Sequence, residues 1–517
     1  MPLLGSIIKS AIELPGKIPL EKIRRANPAK QQAATLKKLL RSAQYTSFGE
    51  AYDFGGILKN KNAVKAFRQQ VPIHDYNLIH QRWWYRTLNG EAFVSWPGKI
   101  KYFALSSGTS EASSKYIPVT ADMLKAIKKT SIKQLFTLAK YDLPRDFYER
   151  GILMLGGSTH LHFNGTYYEG DLSGITAGNI PFWFQHFYKP GKRISKERDW
   201  TTKLDEIVKN ARDWDIGVVS GVPAWIQIMM ERIIKHYNVK TIHDIWPNLS
   251  IYVHGGVSFA PYAKTFEKLL SKPLIYIETY LASEGFIAFQ SRKDTISMQL
   301  VLDNGLFFEF VPFSEDNFDP DGQIRTDATS YTIEDVEEGK EYALLLSSCA
   351  GAWRYLIGDT IKFTSKALSE IVITGRTKHF LNLCGEHLSQ ENMNRAIQLL
   401  EEQMNIPVPE FTVAGIEHDS MFAHKWYLGT TNDPATIDVQ SIRERIDQNL
   451  KDLNDDYRVE RIAAIREVIV EVLPLRHFYD YMKLRGKEGG QNKFPRVIRN
   501  EKLTGWEEYL NANVRNK

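Results

Sequence analysis

The sequence predicts an α/β protein: a large N-terminal domain of mixed β-sheets, barrel-like in part and flanked by helices, then a small C-terminal α+β domain. Three observations predict it. Between residues 150 and 285, short apolar runs ending in glycine or serine alternate with helical stretches, as strands covered by helices do. Between residues 287 and 363, β-rich runs are separated by turns such as Asp303-Asn304-Gly305, which points to antiparallel strands. Beyond residue 385 the pattern is helix, two strands, helix, strand.

The chain has 517 residues, too many for one core. The expected boundaries are 1–376 and 377–517, with a hinge near 376–385. A hydrophobic content of 43% and a charged content of 25% are ordinary globular values. The 66 basic and 61 acidic residues leave +5, and no basic block marks a nucleic-acid arm or a membrane-binding patch. Cys349 and Cys384 give neither a disulfide framework nor a zinc spacing, which fits a reducing compartment. Pro15 and Pro19 break the first twenty residues, Lys9 and Glu13 interrupt any signal-peptide core, and no apolar run is long enough to span a membrane. The expectation is a cytoplasmic monomer with no nucleic-acid or membrane partner.

In chain order, Ala33, Leu36, Leu39, Leu40 and Ala43 predict a helix within residues 20–50. Asp75 is placed to cap a helix carrying Trp83, Trp84 and Tyr85, an aromatic group assigned to core packing. Residues 120–140 read as a helix capped by Thr120. Residues 152–157 read as a buried strand. His160 and His162 would share one face of the next strand, but zinc wants more ligands and none is near, so a structural role is the stronger assignment. Residues 180–188 hold Phe182, Trp183, Phe184, Phe187 and Tyr188, which suit a core or an apolar pocket. Residues 216–220, 251–256 and 274–280 are strands, with Ser220 the expected cap of the helix at 225–236. Residues 486–496, rich in glycine and lysine, read as a mobile tail.

Residues 103–120 hold the most distinctive loop. Ser106, Ser107, Gly108, Thr109 and Ser110 place four hydroxyls around one glycine, and Lys115 follows. Hydroxyls, backbone N–H groups and a cation suit a polyphosphate. The P-loop pattern is absent, and the same residues also suit a plain turn.

Three more pieces follow in order: Tyr280-Leu281-Ala282-Ser283-Glu284-Gly285, Arg354-Tyr355-Leu356-Ile357-Gly358-Asp359, and Gln491-Asn492-Lys493-Phe494-Pro495-Arg496. Together with the Ser-rich loop, Lys115 and Pro118, they resemble the auxin-responsive acyl-acid amido synthetase family of the adenylate-forming superfamily. The resemblance runs from about residue 30 to the last residues. It implies an enzyme that uses ATP and Mg²⁺ to convert a small carboxylic acid to an acyl-adenylate, then passes the acyl group to an amine, usually an amino acid. By the same resemblance, residues 106–110 and Lys115 hold phosphates. Glu284 is the Mg²⁺-side carboxylate, and Asp359 accepts from the ribose hydroxyls. Tyr280, Gly255 and Gly256 flank adenine and the acyl group, and Thr279, Ser283 and Arg376 complete the nucleotide contacts. Lys493 neutralises charge at the α-phosphate in the first step only, and the small domain swings between steps.

Two stretches depart from the family. Glu111 and Ala112 stand where many members place small residues, and Gly385-Glu386-His387-Leu388 stands where plant members carry Asp-Lys-Thr. An acyl-CoA ligase sharing the first step, and a non-catalytic acid- or nucleotide-binding relative, are the alternatives.

Overall fold

The computed structural model describes residues 27–106, 115–180, 182–256, 259, 262–293, 295–319, 322–377, 381, 388, 390–418, 421–454, 457–458, 461, 465–487 and 494–515. The N-terminal segment, Ser107 to Ser110, most of the expected hinge, Cys384 and Lys493 lie outside these residues.

In chain order the strands begin with β1 (Tyr102–Ser106), β2 (Lys115–Val119), β3 (Gly151–Met154), β4 (His162–Phe163), β5 (Tyr168–Gly170) and β6 (Tyr188–Lys189). Next come β7 (Ile216–Ser220), β8 (Ile251–Gly255), β9 (Ile275–Ala282), β10 (Gly285–Phe289), β11 (Met298–Leu300) and β12 (Leu306–Pro312). Then follow β13 (Glu341–Ser348), β14 (Tyr355–Ser365), β15 (Glu370–Arg376), β16 (Glu410–His418), β17 (Met421–Thr430) and β18 (Ile465–Pro474).

One sheet has eleven strands in the order β12-β13-β14-β15-β11-β10-β9-β8-β7-β3-β6. Strands β6, β3, β7, β8 and β9 are parallel, as the alternation of strands and helices predicts. From β9 onward the pairings are antiparallel, so the β-rich region continues the parallel sheet edge to edge. A second sheet runs β2-β1-β5-β4, and a third β16-β17-β18.

Helix α1 (Pro28–Ala43) buries Leu36, Leu39, Leu40 and Ala43. Its buried Gln32 pins it to the sheet: Nε2 donates to Leu302 O at 2.7 Å, and Phe308 N donates to Oε1 at 2.7 Å. Asp75 caps its helix by accepting from Leu78 N at 2.8 Å, and Trp84 is fully buried. Thr120 caps α2 (Ala121–Thr137), accepting from Met123 N at 3.0 Å. Helix α3 (Pro223–Tyr237) corrects one expectation. Its N-cap is Val222, with no side-chain cap, because Pro223 already presets the first helical turn and Ser220 ends β7. His160 lies in a loop, while His162 Nδ1 pairs with Glu169 Oε1 at 2.9 Å. Residues 182–186 form a 3-10 helix.

The chain divides into two compact units. The first comprises Met1–Val257, Leu270–Asn317 and Thr326–Ile373; the second comprises Ser258–Leu269, Phe318–Arg325 and Thr374–Lys517. The second unit therefore recruits α4 (Ala263–Leu269), which lies between β8 and β9 in sequence. It also contains α5 (Gln390–Met404), α6 (Val439–Leu453), α7 (Arg476–Leu484) and α8 (Asn500–Leu510). The last two helices flank residues 486–496 and were not among the expected elements. Their aromatic residues pack together, Phe478 against Trp506 at 5.1 Å and Tyr481 against Trp506 at 5.1 Å. No described helix is long and apolar enough to cross a membrane.

Candidate active site

Strands β8 and β9 carry matched sequences, Ile251-Tyr252-Val253-His254 and Ile275-Tyr276-Ile277-Glu278, paired in register. Side chains alternate across a strand, so the two faces differ in chemistry. Ile251 and Ile277 join Leu138, Leu143 and Phe147 in an apolar cluster, with Val253 and Ile275 packed against it. The other face presents Tyr252, His254, Tyr276, Glu278 and Tyr280. The Tyr252 ring lies 5.4 Å from His254 and 6.2 Å from Tyr276. Burial lowers the His254 imidazole to about 4 and raises the Glu278 carboxyl to about 7. His254 is thus neutral at pH 7, and Glu278 exchanges its proton near neutrality, a property frequent at functional sites. Sequence reasoning missed both residues. The polar positions within two otherwise aliphatic strands were the available signal.

The strand ends come together closely. A Cβ on Gly255 would stand 2.2 Å from Thr279 O, so only glycine fits, and Gly256 has φ +83°. Thr279 Oγ1 donates to His254 O at 3.1 Å, tying β9 to β8. One residue on, Tyr280 Oη donates to Asp359 Oδ2 at 2.5 Å. Asp359 sits on β14, whose start is held by Arg354. That arginine is 6% exposed with φ +43°, and its guanidinium donates to Glu309 at 2.9 to 3.2 Å and to Val71 O at 2.7 Å.

Ser283 and Glu284 form the turn from β9 to β10. Glu284 is 6% exposed and lines a small recess with Met123, Ile127, Thr130, Phe286, Leu306 and Cys349. It is therefore not a solvated strand-end acid. Ser106 and Lys115 are register partners closing the β1–β2 hairpin at the base of the Ser-rich loop. Lys115 Nζ lies 5.5 Å from the Tyr76 ring, whose hydroxyl accepts from Tyr116 N at 2.9 Å. Arg376 is the last residue of β15.

The structure thus joins Tyr280 with Asp359, Thr279 with the Gly255 end of β8, and Ser283 with Glu284. Asp359 and Glu284 are the residue type that a ribose diol and a hard cation call for. An acceptor-only carboxylate suits a diol. Glu284 is a hard oxygen ligand. Among the described residues no group of three or more His, Cys, Asp or Glu forms a metal cage, and Mg²⁺ is usually held by one or two carboxylates together with substrate phosphates.

Comparison with known proteins extends over most of the chain. The GH3 family N-terminal domain matches residues 20–205, the GH3 family central domain residues 299–376, and the GH3 family C-terminal domain residues 390–502. An indole-3-acetic acid-amido synthetase of Arabidopsis thaliana, GH3.4, is 24% identical over 277 residues, covering 50% of this chain and 45% of that protein. The chain thus spans about half the length of such curated relatives. The structure of GH3.15 acyl acid amido synthetase superimposes with a TM-score of 0.75 at 17% identity, covering 96% of this chain and 95% of that one. A 2-hydroxyisobutyryl-CoA ligase in the postadenylation state, in complex with 2-HIB-AMP, gives a TM-score of 0.60 at 10% identity, covering 94% and 92%. Both likenesses show the mixed α/β fold. With three successive domains of one family laid in order along the sequence, the chain belongs to the GH3 family.

Proposed function

We propose that this protein is an ATP-dependent acyl-acid amido synthetase. Its substrates are a small carboxylic acid and an amine, with an amino acid the favoured acceptor. The observation that carries the reading is the Tyr280–Asp359 pair, in which β9, paired with β8 as far as Gly255, orients an acceptor-only carboxylate. The family membership and the names of the relatives point the same way.

In the first step a carboxylate oxygen of the acid attacks the α-phosphorus of ATP. The bond from that phosphorus to the bridging oxygen breaks, and pyrophosphate leaves with the electron pair. In the second step the amine nitrogen attacks the acyl carbon, the bond to AMP breaks, and the nitrogen loses a proton. Asp359 accepts from the ribose hydroxyls, held in place by the Tyr280 hydroxyl. Tyr280, Gly255 and Gly256 bound the adenine and acyl groups, with Thr279, Ser283 and Arg376 beside the nucleotide. Residues 106–110 and Lys115 bind the phosphates. Lys493 supplies a cation for charge developing in the first step, and Glu284 would hold Mg²⁺. When bound, Mg²⁺ screens the repulsion between two anions and stabilises departing pyrophosphate.

The same reading places the protein in the cytoplasm as a monomer, with the domain junction near residues 376–385. The test is acid-dependent pyrophosphate release with ATP and Mg²⁺ over aromatic, fatty and keto acids, with amino acids present. An amide and AMP are the expected products. ADP would overturn the reading, and a thioester formed with coenzyme A in place of any amide would move it to acyl-CoA ligation.

A further inference from the structure

Strand β14 is irregular where it carries Asp359. Against β13, Thr360 pairs with Ala343 and Leu356 with Leu345, so Leu344 alone faces three residues of β14: Ile357, Gly358 and Asp359. Such a β-bulge bends its strand and re-aims a side chain, and bulges are frequent beside active sites. Gly358 has φ +88°, in the left-handed region that glycine enters at no steric cost. The bulge is fixed on both sides and cannot slide along the strand. On one side, Leu356 N donates to His74 O at 2.8 Å and His74 N donates to Arg354 O at 2.9 Å, while Glu309 holds the Arg354 guanidinium. On the other, Thr360, Ile361 and Lys362 keep their pairing with Ala343, Tyr342 and Glu341.

The bulge changes what Asp359 meets. Leu344, Leu345, Leu356, Ile357, Thr360 and Ile361 are all buried, whereas Gly358 and Asp359 are partly exposed. A regular strand would carry the Asp359 carboxylate through this apolar layer, where a charge without partners is strongly disfavoured. The bulge lifts it out, and Asp359 Oδ2 accepts from Tyr280 Oη. A side chain with a Cβ is strained at the Gly358 φ, and relief of that strain would shift the backbone next to Asp359.

We infer that Gly358 is a positioning residue for Asp359: its left-handed conformation shapes the bulge that holds the carboxylate against Tyr280 and turns it toward the ribose diol. The inference rests on the nucleotide-binding reading given above.

Full-length wild type, Gly358→Ala, Gly358→Asn, Asp359→Ala and the Gly358→Ala, Asp359→Ala double variant would be titrated with ATP and with 2′,3′-dideoxy-ATP, which lacks both ribose hydroxyls. The wild type should bind ATP about tenfold more tightly than the dideoxy nucleotide, the loss expected for a charge-assisted hydrogen bond. Gly358→Ala should weaken ATP binding about tenfold and leave dideoxy-ATP binding within about twofold, because only the contact to the diol is lost. In the Asp359→Ala background, Gly358→Ala should weaken ATP binding by less than about twofold more, because two residues acting as one unit are not additive. Asparagine enters the left-handed region more readily than alanine, so Gly358→Asn should lose less than Gly358→Ala despite its larger side chain. Should Gly358→Ala fold poorly, Gly358→Asn carries the same comparison of the two nucleotides. Equal weakening of both nucleotides, a full wild-type preference for ATP in Gly358→Ala, or a larger loss in Gly358→Asn than in Gly358→Ala would overturn the inference while leaving Asp359 in its ribose role. A wild-type protein with no preference for ATP over dideoxy-ATP would overturn the ribose role and this inference with it.

Discussion

Tyr280 on β9 donates its phenolic hydrogen to Asp359 on β14, although β10, β11 and β15 stand between those strands in the hydrogen-bonded order. Neighbouring strands lie about 4.8 Å apart, so four such steps in a flat sheet would separate β9 and β14 by roughly 19 Å, beyond the reach of a tyrosine and an aspartate. The contact requires the antiparallel half of the sheet to roll strongly, as twisted sheets do. The roll brings together two residues that are 79 positions apart in sequence.

That geometry makes Asp359 the first residue to test. Asp359→Ala should weaken ATP binding about 10-fold or more, and Tyr280→Phe by a smaller factor, since a charge-assisted hydrogen bond contributes roughly 1.5–3 kcal/mol. Titration of the protein with ATP, followed by calorimetry, measures both. Unaltered affinity in Asp359→Ala would remove it from the ribose role.

Lys493→Ala should leave ATP affinity close to that of the wild type and slow pyrophosphate release by about 10²–10³, the usual loss for one preorganised electrostatic donor. Single-turnover pyrophosphate release checks this. An unchanged rate would assign the cation to another residue.

Glu284→Gln should raise the Mg²⁺ concentration needed for half-maximal pyrophosphate release about tenfold, because it exchanges a charged hard ligand for a neutral one. Chelation by EDTA should stop the wild-type reaction, and added Mg²⁺ should restore it. A variant with an unaltered Mg²⁺ requirement would mean that Glu284 serves only to pack against α2.

Glu278 gives a pH signature. Its carboxyl sits at about 7 when folded and near 4.3 when unfolded. Below about pH 4 both states hold the proton and no effect arises. Between about pH 4.3 and 7 the folded state holds more protons, so stability falls as pH rises, and the penalty is complete above about 7. Glu278→Gln, uncharged throughout, should therefore gain stability over the wild type by about 1–3 kcal/mol at pH 8, with no gain at pH 4. His254 works the other way: held at about 4 by burial, it withdraws stability as pH falls from about 6.5. Urea unfolding from pH 4 to 8 reads both, and parallel curves for wild type and Glu278→Gln would contradict the assignment.

Much of the site's sequence neighbourhood was legible beforehand. Thr120 and Asp75 were readable as caps because an N-cap needs only a side-chain oxygen at the right offset. The end of β8 at Gly255 was readable because apolar runs ending in glycine mark where a strand leaves the sheet, whereas β9 runs two residues past the expected Tyr280, to Ala282. Ser220 was misread for a local reason, since Pro223 sets the start of its helix without any side-chain cap. Residues Phe494 to Arg496 were misread for a distant one. Glycines and lysines upstream suggest mobility, while the anchor for Arg496 is Glu410, 86 positions away.

By itself, then, the sequence determined the order of elements, the α/β class and the motif residues, since periodicity, capping and glycine placement act over a few residues. Only the tertiary structure decided that Tyr280 meets Asp359, that Glu284 is buried beside Cys349, and that Glu410 joins Tyr262 to Arg496. Those pairings depend on how far a sheet rolls and which surfaces exclude water. Both are set by summed packing over the whole domain, and no local stretch of chain encodes either.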